Sequence, residues 1–179
     1  MCGGRGTRLD ADVEKPLVPV AGVPMVDRVR DALVASRVDD VYAVVSPHTP
    51  ATRDHVDLPV IEAPGDGYVD DLAYALERVD QPVLTVAADL PLLTETSVNA
   101  VLDAFTSGSM TVAVPTARKR RLGVSVDTTF THEGRDLAPA GVNVVGGGED
   151  LVYVSEDPSL AVNVNRPGDV RVAEELLSS

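Results

Sequence analysis

Short runs of contiguous apolar residues alternate along this chain with stretches whose apolar residues recur every three or four positions. The runs at 41–45, 59–61 and 82–86 are of the first kind, the pattern of strands covered on both faces. Val69, Leu72, Ala73, Leu76 and Val79 are of the second kind, as are Val98, Val101, Leu102 and Phe105, a spacing that lines up one side of a helix. A further helix is predicted from about Pro24 to Ala35, with the proline near its first turn, where its missing N–H costs nothing. Residues 110–114 predict another strand. Strands alternating with helices predict an α/β, Rossmann-like fold with a mostly parallel central sheet flanked by helices.

From 123 to 154 the helical period disappears. Strand-like pieces at 123–126, 142–145 and 151–154 predict a small β-rich segment, followed by a closing helix over about 168–177. No linker, repeat or low-complexity block divides the 179 residues, so one domain over 1–179 is expected. The glycine-rich stretch at the N-terminus begins directly after Met1, where an apolar strand would be expected to lead into it. The expectation is that the start was assigned late and that Met1 is the last residue of that strand.

Composition narrows the function. No apolar run approaches the ~18 residues of a membrane span, and no signal peptide is recognisable, so a cytoplasmic protein without membrane insertion is expected. Cys2 is the only cysteine, which excludes an internal disulfide and a cysteine-built zinc site, and His48, His55 and His132 are scattered singly. Acidic residues outnumber basic ones by 28 to 15, for a formal charge of −13. A field of that sign repels nucleic acid. With 19 aspartates, only two lysines and few aromatics, the composition resembles proteins adapted to molar salt, where charges are screened over roughly 3 Å. A haloarchaeal cytoplasm is the expected setting.

Candidate chemistry is concentrated near the N-terminus. Gly3, Gly4 and Gly6, interleaved with Arg5 and followed by Thr7 and Arg8, form a loop in which backbone N–H groups can crowd an anion, because no Cβ blocks the approach. Arg8 and Lys15 add fixed positive charge. The loop suits a nucleoside triphosphate, yet it lacks the Gly-Lys-Ser/Thr of the P-loop and, with Leu9 in place of a third glycine, the dinucleotide fingerprint.

Other motifs fall at the carboxyl ends of predicted strands, where ligands bind in open α/β sheets. Asp89 follows the strand at 82–86 and is placed to hold Mg²⁺ against a triphosphate, or to serve simply as a turn or capping residue. Asn163 and Asn165, two apart in an extended segment, point the same way and are candidates for the metal or the phosphates, with capping of the next helix as the competing role. The loop at 63–72 carries Gly65 and Gly67 as a backbone wall for a flat base; Asp66, Asp70 or Asp71 could accept guanine protons or complement a helix dipole. Residues 118–121 (Arg-Lys-Arg-Arg) are the one strongly positive stretch, either a solvated loop or, through Arg120, a receiver for an anionic second substrate. Gly141 and Asn143 offer a second backbone wall for that substrate.

Taken together, the chain resembles the small nucleotidyltransferases of the molybdenum-cofactor guanylyltransferase type and, among them, the archaeal guanylyltransferases of cobalamin assembly. The resemblance rests on G-G-R-G-T-R at 3–8, E-K-P-L at 14–17, P-x-x-P at 47–50, P-G-D-G-Y-V-D-D-L at 64–72, D-L-P at 89–91, G-V-S-V-D at 123–127, P-A-G-V-N-V-V at 139–145 and A-V-N-V-N at 161–165. The glycine loop and D-L-P identify the broad superfamily, and the segments at 64–72 and 139–145 are narrower. It implies a nucleotidyltransferase fold and Mg²⁺-dependent transfer of GMP from GTP to adenosylcobinamide phosphate, with loss of pyrophosphate.

It further implies Arg8, Lys15 and Asp89 as catalytic residues. Gly3, Gly4, Gly6, Thr7, Gly65, Gly67 and Asp71 are implied at the nucleotide, Gly141, Asn143 and Arg120 at the acceptor, and Asp89, Asn165 and Asn163 at the metal. A homodimer is a further expectation. The alternatives are another guanylyl acceptor, such as molybdopterin or a phospholactate, and a GTP-binding regulatory domain that releases no pyrophosphate.

Overall fold

β-Branched residues suit pleated strands better than helices, and the valine runs of this chain form the strands on which the rest packs. The computed structural model describes residues 1–3, 9 and 11–179. A 3₁₀ turn, Lys15–Leu17, leads into a small hairpin of β1 (Pro19–Val20) and β2 (Val23–Pro24), which runs into α1 (Met25–Ala35). β3 (Ala43–Val45) pairs in parallel with β4 (Val60–Glu62), with α2 (Pro50–His55) connecting them. α3 (Tyr68–Leu76) leads to β5 (Val83–Val86), and α4 (Glu95–Ala104) separates β5 from β6 (Ser109–Pro115). The chain continues through α5 (Thr116–Leu122), β7 (Phe130–His132), β8 (Arg135–Val145), β9 (Asp150–Val154) and α6 (Pro167–Leu177).

The larger sheet has the order β5-β8-β6-β9, with β7 paired to β8 as a hairpin. β6 and β9 are parallel, and β8 runs antiparallel to both β5 and β6. The sheet is therefore mixed: β5, β6 and β9 share one direction, and β8 is inserted between β5 and β6 against them. This corrects the expectation of a mostly parallel sheet, while the β-rich segment expected at 123–154 is present as β7, β8 and β9. β8 is a member of the central sheet, because Ala140, Val142 and Val144 supply one wholly buried face. Residues 123–126 form no strand. The Ser125 N–H and hydroxyl instead donate to the Asp169 carboxylate at 2.7 and 2.8 Å, and the Val124 N–H donates to the Lys119 carbonyl.

The basic run at 118–121 is likewise helical rather than a loop. α5 buries Thr116 and Lys119, one turn apart, and leaves Arg120 and Arg121 exposed. On α3 the predicted stripe is displaced, with Val69 and Ala73 exposed and Asp71 and Ala75 buried, whereas on α1 and α4 it behaves as the spacing predicts. α1 buries Met25, Val26, Val29 and Ala32, and α4 starts at a capping box in which Thr94 and Ser97 satisfy each other's backbone N–H.

The main core joins α1 and α4 to β5, β6 and β8 through Val29, Val98, Val101, Val112, Val114 and Val142. A second cluster, of Leu9, Val18, Val20, Met25, Val162, Val164 and Ala173, ties the N-terminal turn to the strand-like segment before α6. That cluster brings Lys15 within reach of residues 150 positions away.

β3 and β5 each have one edge with no strand partner among the described residues. Met1 and Cys2 stand between them: the Cys2 N–H donates to the Val44 carbonyl at 2.8 Å, the Met1 ammonium to the Val86 carbonyl at 2.8 Å, and the Met1 carbonyl accepts from Ala88 at 3.2 Å. Beside them lies a cavity of about 710 Å³, lined by Val44, Val83–Val86, Val29, Leu33 and Leu102 among others. No helix among the described residues is long and apolar enough to cross a membrane.

Candidate active site

A second cavity, of about 450 Å³, opens at the carboxyl end of β5 and is lined by Gly3, Lys15, Gly65, Gly67, Tyr68, Asp71 and Asp89 among others. Each wall has a local cause. Asp89 follows β5 by three residues, and its carbonyl accepts from the Val164 N–H at 2.9 Å, which docks the 161–165 segment alongside. Lys15 opens its 3₁₀ turn because Glu14 is pinned: the Glu14 carboxylate accepts from the Ala51 N–H, the Thr52 N–H and the Thr52 hydroxyl at 2.9, 2.7 and 2.6 Å. Glu14 thus caps the first turn of α2 from outside the helix. Burial alone would raise the Glu14 pKa, but these three hydrogen bonds together hold it below its ordinary value.

At the centre of the cluster the Lys15 ammonium donates to Asp89 Oδ2 at 2.6 Å and to Asn165 Oδ1 at 2.8 Å. The two side chains of the ion pair are 18% and 15% exposed, so they face the cavity without being sealed from it. Asn163, by contrast, has its Oδ1 turned to the Lys119 ammonium at 2.9 Å, while its Nδ2 donates to Asp89 Oδ1 at 3.2 Å and to the Ala140 carbonyl at 3.1 Å. Asn163, expected at the metal, thus turns its NH₂ and not its oxygen toward Asp89. Its amide oxygen is used, and what it gives Asp89 is an N–H.

Asn165 is placed by Asp169, whose buried carboxylate accepts from the backbone N–H of Asn165 and of Arg166 at 3.0 and 2.9 Å. Asp169 carries the capping function, and the Asn165 side chain is left to the cluster. Asp89 Oδ2 and Asn165 Oδ1 converge on one cationic centre. Among the described residues no group of three or more His, Cys, Asp or Glu could hold a metal by itself. One carboxylate and one amide oxygen beside an open cavity fit a hard divalent cation that draws its remaining ligands from substrate phosphates.

The glycine walls differ in kind. Gly65, at φ +86°, is held by its N–H on Asp71 Oδ1 at 2.7 Å, and His48 Nε2 lies 3.2 Å from its carbonyl. Asp71 is buried, so its role in this arrangement is to brace the loop. Gly67, at φ +133°, has open space on its Cβ side and starts α3. Gly141, at φ +79° in β8, sits where a Cβ would meet Asn163 Nδ2 at 3.0 Å and the Ala87 Cβ at 3.1 Å. Asn143, two residues on, pairs with Thr85 of β5 and is half-buried.

Lys15, Asp89, Asn163, Asn165 and Gly141 are therefore brought together, and Gly3, Gly65, Gly67 and Asp71 line the adjoining cavity. Arg120 is exposed on α5, and of its run only Lys119 reaches the cluster among the described residues. Gly4, Gly6, Thr7 and Arg8 lie outside the described residues.

Sequence reasoning missed three contributors. Tyr68 lies against the Thr85 hydroxyl and close to Asp89; burial raises its pKa, the Thr85 hydrogen bond opposes this, and the Asp89 charge adds to the rise. Its signal was an aromatic at the first helical position of a chain with only six aromatics. Glu14 was read only as a part of a motif. Lys119 was read only as part of a basic run, solvated or receiving an anionic substrate, although it is one of just two lysines in a chain that otherwise uses arginine.

An α/β domain with a lysine-paired carboxylate at a strand end, beside a cavity walled by Gly3, Gly65 and Gly67, is an arrangement suited to a nucleotide. The chain belongs to the MobA-like NTP transferase domain family, whose model matches residues 1–168. Among curated relatives, the adenosylcobinamide-phosphate guanylyltransferase of Methanocaldococcus jannaschii is 31% identical over 196 aligned residues, covering 99% of this chain and 95% of that one. The molybdenum cofactor guanylyltransferase of Rhodobacter capsulatus is 27% identical, covering 99% and 94%. Among solved structures, a hypothetical transferase from Thermus thermophilus superposes with a TM-score of 0.72 at 22% identity, covering 95% of this chain and 96% of its own. A nucleotidyl transferase from Methanothermobacter gives 0.67 at 16% identity, covering 99% and 95%. These two establish the fold.

Proposed function

We propose that this protein transfers GMP from GTP to the phosphate of adenosylcobinamide phosphate, with Mg²⁺ as the divalent cation, in the cytoplasm. The observation that carries the reading is the Lys15–Asp89–Asn165 cluster at the mouth of the 450 Å³ cavity, in a chain similar from end to end to a relative that bears that name.

An oxygen of the acceptor phosphate attacks the α-phosphorus of GTP. The new P–O bond forms as the bond to the bridging α,β-oxygen breaks, and pyrophosphate leaves with the electron pair. Because the nucleophile is already an anion, no residue need act as general base. The work of the chain is positioning and charge neutralisation. The backbone of Gly3, Gly4, Gly6 and Thr7 cradles the triphosphate, and Arg8 and Lys15 offset the negative charge that builds on the leaving group. Gly65 and Gly67 form the wall for the base, and Gly141 and Asn143 the wall for the acceptor. Mg²⁺, held by Asp89 with the Asn165 oxygen, would supply polarisation of the α-phosphoryl group.

The test is pyrophosphate release in molar KCl with Mg²⁺ and GTP, with and without adenosylcobinamide phosphate, and with ATP, CTP and UTP in place of GTP. Release that requires both GTP and the corrinoid is the expected result. Release with molybdopterin instead would reassign the acceptor, a substitution that the 27% identity to the molybdenum cofactor enzyme makes worth including. GTP binding with no release under any acceptor would leave a nucleotide-binding regulatory domain.

A further inference from the structure

Lys119 is the second of two lysines in the chain and is only 4% exposed. Placing an ammonium inside a protein is costly unless hydrogen bonds and charge compensate it. Here burial pushes its pKa down, and the carboxylates of Asp89, Asp169 and Asp127 act in the opposite direction. Its Nζ donates to the Ala161 carbonyl at 2.8 Å and to Asn163 Oδ1 at 2.9 Å. Among the described residues it is not part of the cavity lining.

The chemistry of the amide decides what this does. An asparagine side chain can present either its oxygen or its NH₂ to a neighbour, and the two orientations differ little in shape. An ammonium has only donors, so Lys119 requires the Asn163 oxygen, and the NH₂ must then face Asp89 Oδ1 and the Ala140 carbonyl. The opposite orientation would set an amide oxygen against a carboxylate. We infer that Lys119 is a positioning residue for the transfer reaction, acting through Asn163 to fix the Asp89 carboxylate in the orientation that Lys15 and the divalent cation use. The chain of contacts runs from α5 to the mouth of the cavity, and each link is a hydrogen bond between named atoms. This inference rests on the guanylyl-transfer reading, in which Asp89 is the cation-binding group.

The test compares Lys119→Met, Asn163→Ala and the double variant, with Arg121→Met on the exposed side of α5 as control. In Lys119→Met, kcat should fall about 10- to 100-fold, the usual loss when the hydrogen-bond partner of a metal-site ligand is removed. The KM for GTP should stay within about twofold, since GTP itself loses no contact, and half-saturation should move to higher Mg²⁺. The double variant should be no slower than Asn163→Ala alone, because Lys119 acts only through that amide.

Full turnover in folded Lys119→Met, or losses that multiply in the double variant, would overturn the inference. Asn163→Asp guards against a misfolded Lys119→Met, because it keeps the lysine paired while setting an oxygen where the N–H faced Asp89. It should be as slow as Lys119→Met, and wild-type turnover there would also overturn the inference. If the wild type turns over no acceptor, the reading of function fails, and Lys119 is then judged by NMR: the Asn163 side-chain amide protons should exchange slowly in the wild type and fast in Lys119→Met, and equal rates would sink the proposal.

Discussion

The Lys15 Nζ lies 2.6 Å from Asp89 Oδ2, although the two residues are 74 positions apart. The lysine reaches there from a 3₁₀ turn pinned by Glu14, and the aspartate from the end of β5, so the contact joins the two halves of the site. With Lys15 removed, Asp89 keeps its N–H from Asn163 but loses the ammonium that would face a leaving pyrophosphate. Lys15→Ala is therefore expected to lower kcat/KM for GTP about 10²- to 10³-fold, the scale of one charge-stabilising donor. Stability should change by about 1 kcal/mol or less, as for other ion pairs with access to solvent. Pyrophosphate release and thermal unfolding on the same preparation check both halves, and undiminished turnover would remove Lys15 from the mechanism.

Gly141 provides a test from the opposite wall. A Cβ there would meet Asn163 Nδ2 at 3.0 Å and Ala87 at 3.1 Å, on a backbone at φ +79°. An L-residue in that region costs about 1–2 kcal/mol before any clash is counted. Gly141→Ala should accordingly lower the melting temperature by roughly 2–4 °C per kcal/mol. It should also slow turnover about tenfold or more, on the pattern of disturbed support around a metal ligand. A variant with lower melting temperature and full activity would show that Asn163 can shift without consequence.

The parts of this architecture that were legible in the sequence are those set by local pattern. The stripe on α1, the apolar runs of β3 and β5 and the helix from Pro167 each follow from their own few residues. What depended on distant partners was not legible. Residues 124–126 have the composition of a strand, yet Ser125 is taken by Asp169, 44 positions away. β8 could not be placed between β5 and β6 from its own alternation, because register and order are properties of pairs of strands. In the site, Asp89, Lys15 and Asn165 carried a signal because glycine loops and strand ends have recognisable spacing. Lys119 carried a misleading one: four basic residues in a row read as a solvated loop or a receiver for an anion, and only the helical period of α5 turns Lys119 inward.

Glu14 gives a pH dependence with a definite sign. Burial raises its pKa, but the Thr52 hydroxyl and the two backbone N–H groups outweigh that, and the folded-state value lies below the ordinary 4.5. The unfolded chain therefore takes up the proton first as pH falls. The contribution of Glu14 is complete above pH 4.5 and is lost as pH drops from there through the folded-state pKa. Glu14→Gln should lower stability near neutral pH by about 0.5–2 kcal/mol, the range for loss of a helix cap. It should also flatten the acid limb of the stability curve. Denaturant unfolding of both proteins between pH 3 and 7 checks this, and parallel curves would assign the acid sensitivity to other carboxylates.

The gap between β3 and β5 makes a prediction about strand pairing. Neither edge has a strand partner among the described residues, and Val29, Leu33 and Leu102 are among the residues lining the cavity between them. Met1 and Cys2 already pair to both sides, with the Met1 ammonium donating to Val86. A five-residue valine-rich extension joined to Met1 would turn that ammonium into an amide that keeps the same donor, and would remove a charge from the end of that cavity. Its backbone would continue between the two edges as an added strand, the mode by which peptides complete open sheets. Such an extension should raise the melting temperature by about 4 °C or more, corresponding to roughly 1–2 kcal/mol for a domain of this size. It should also slow amide exchange at 43–45 and 83–86. A Gly-Ser extension of equal length has nothing to bury and should do neither. Equal melting temperatures for the two extensions would mean that the cavity between β3 and β5 closes by other means than a strand.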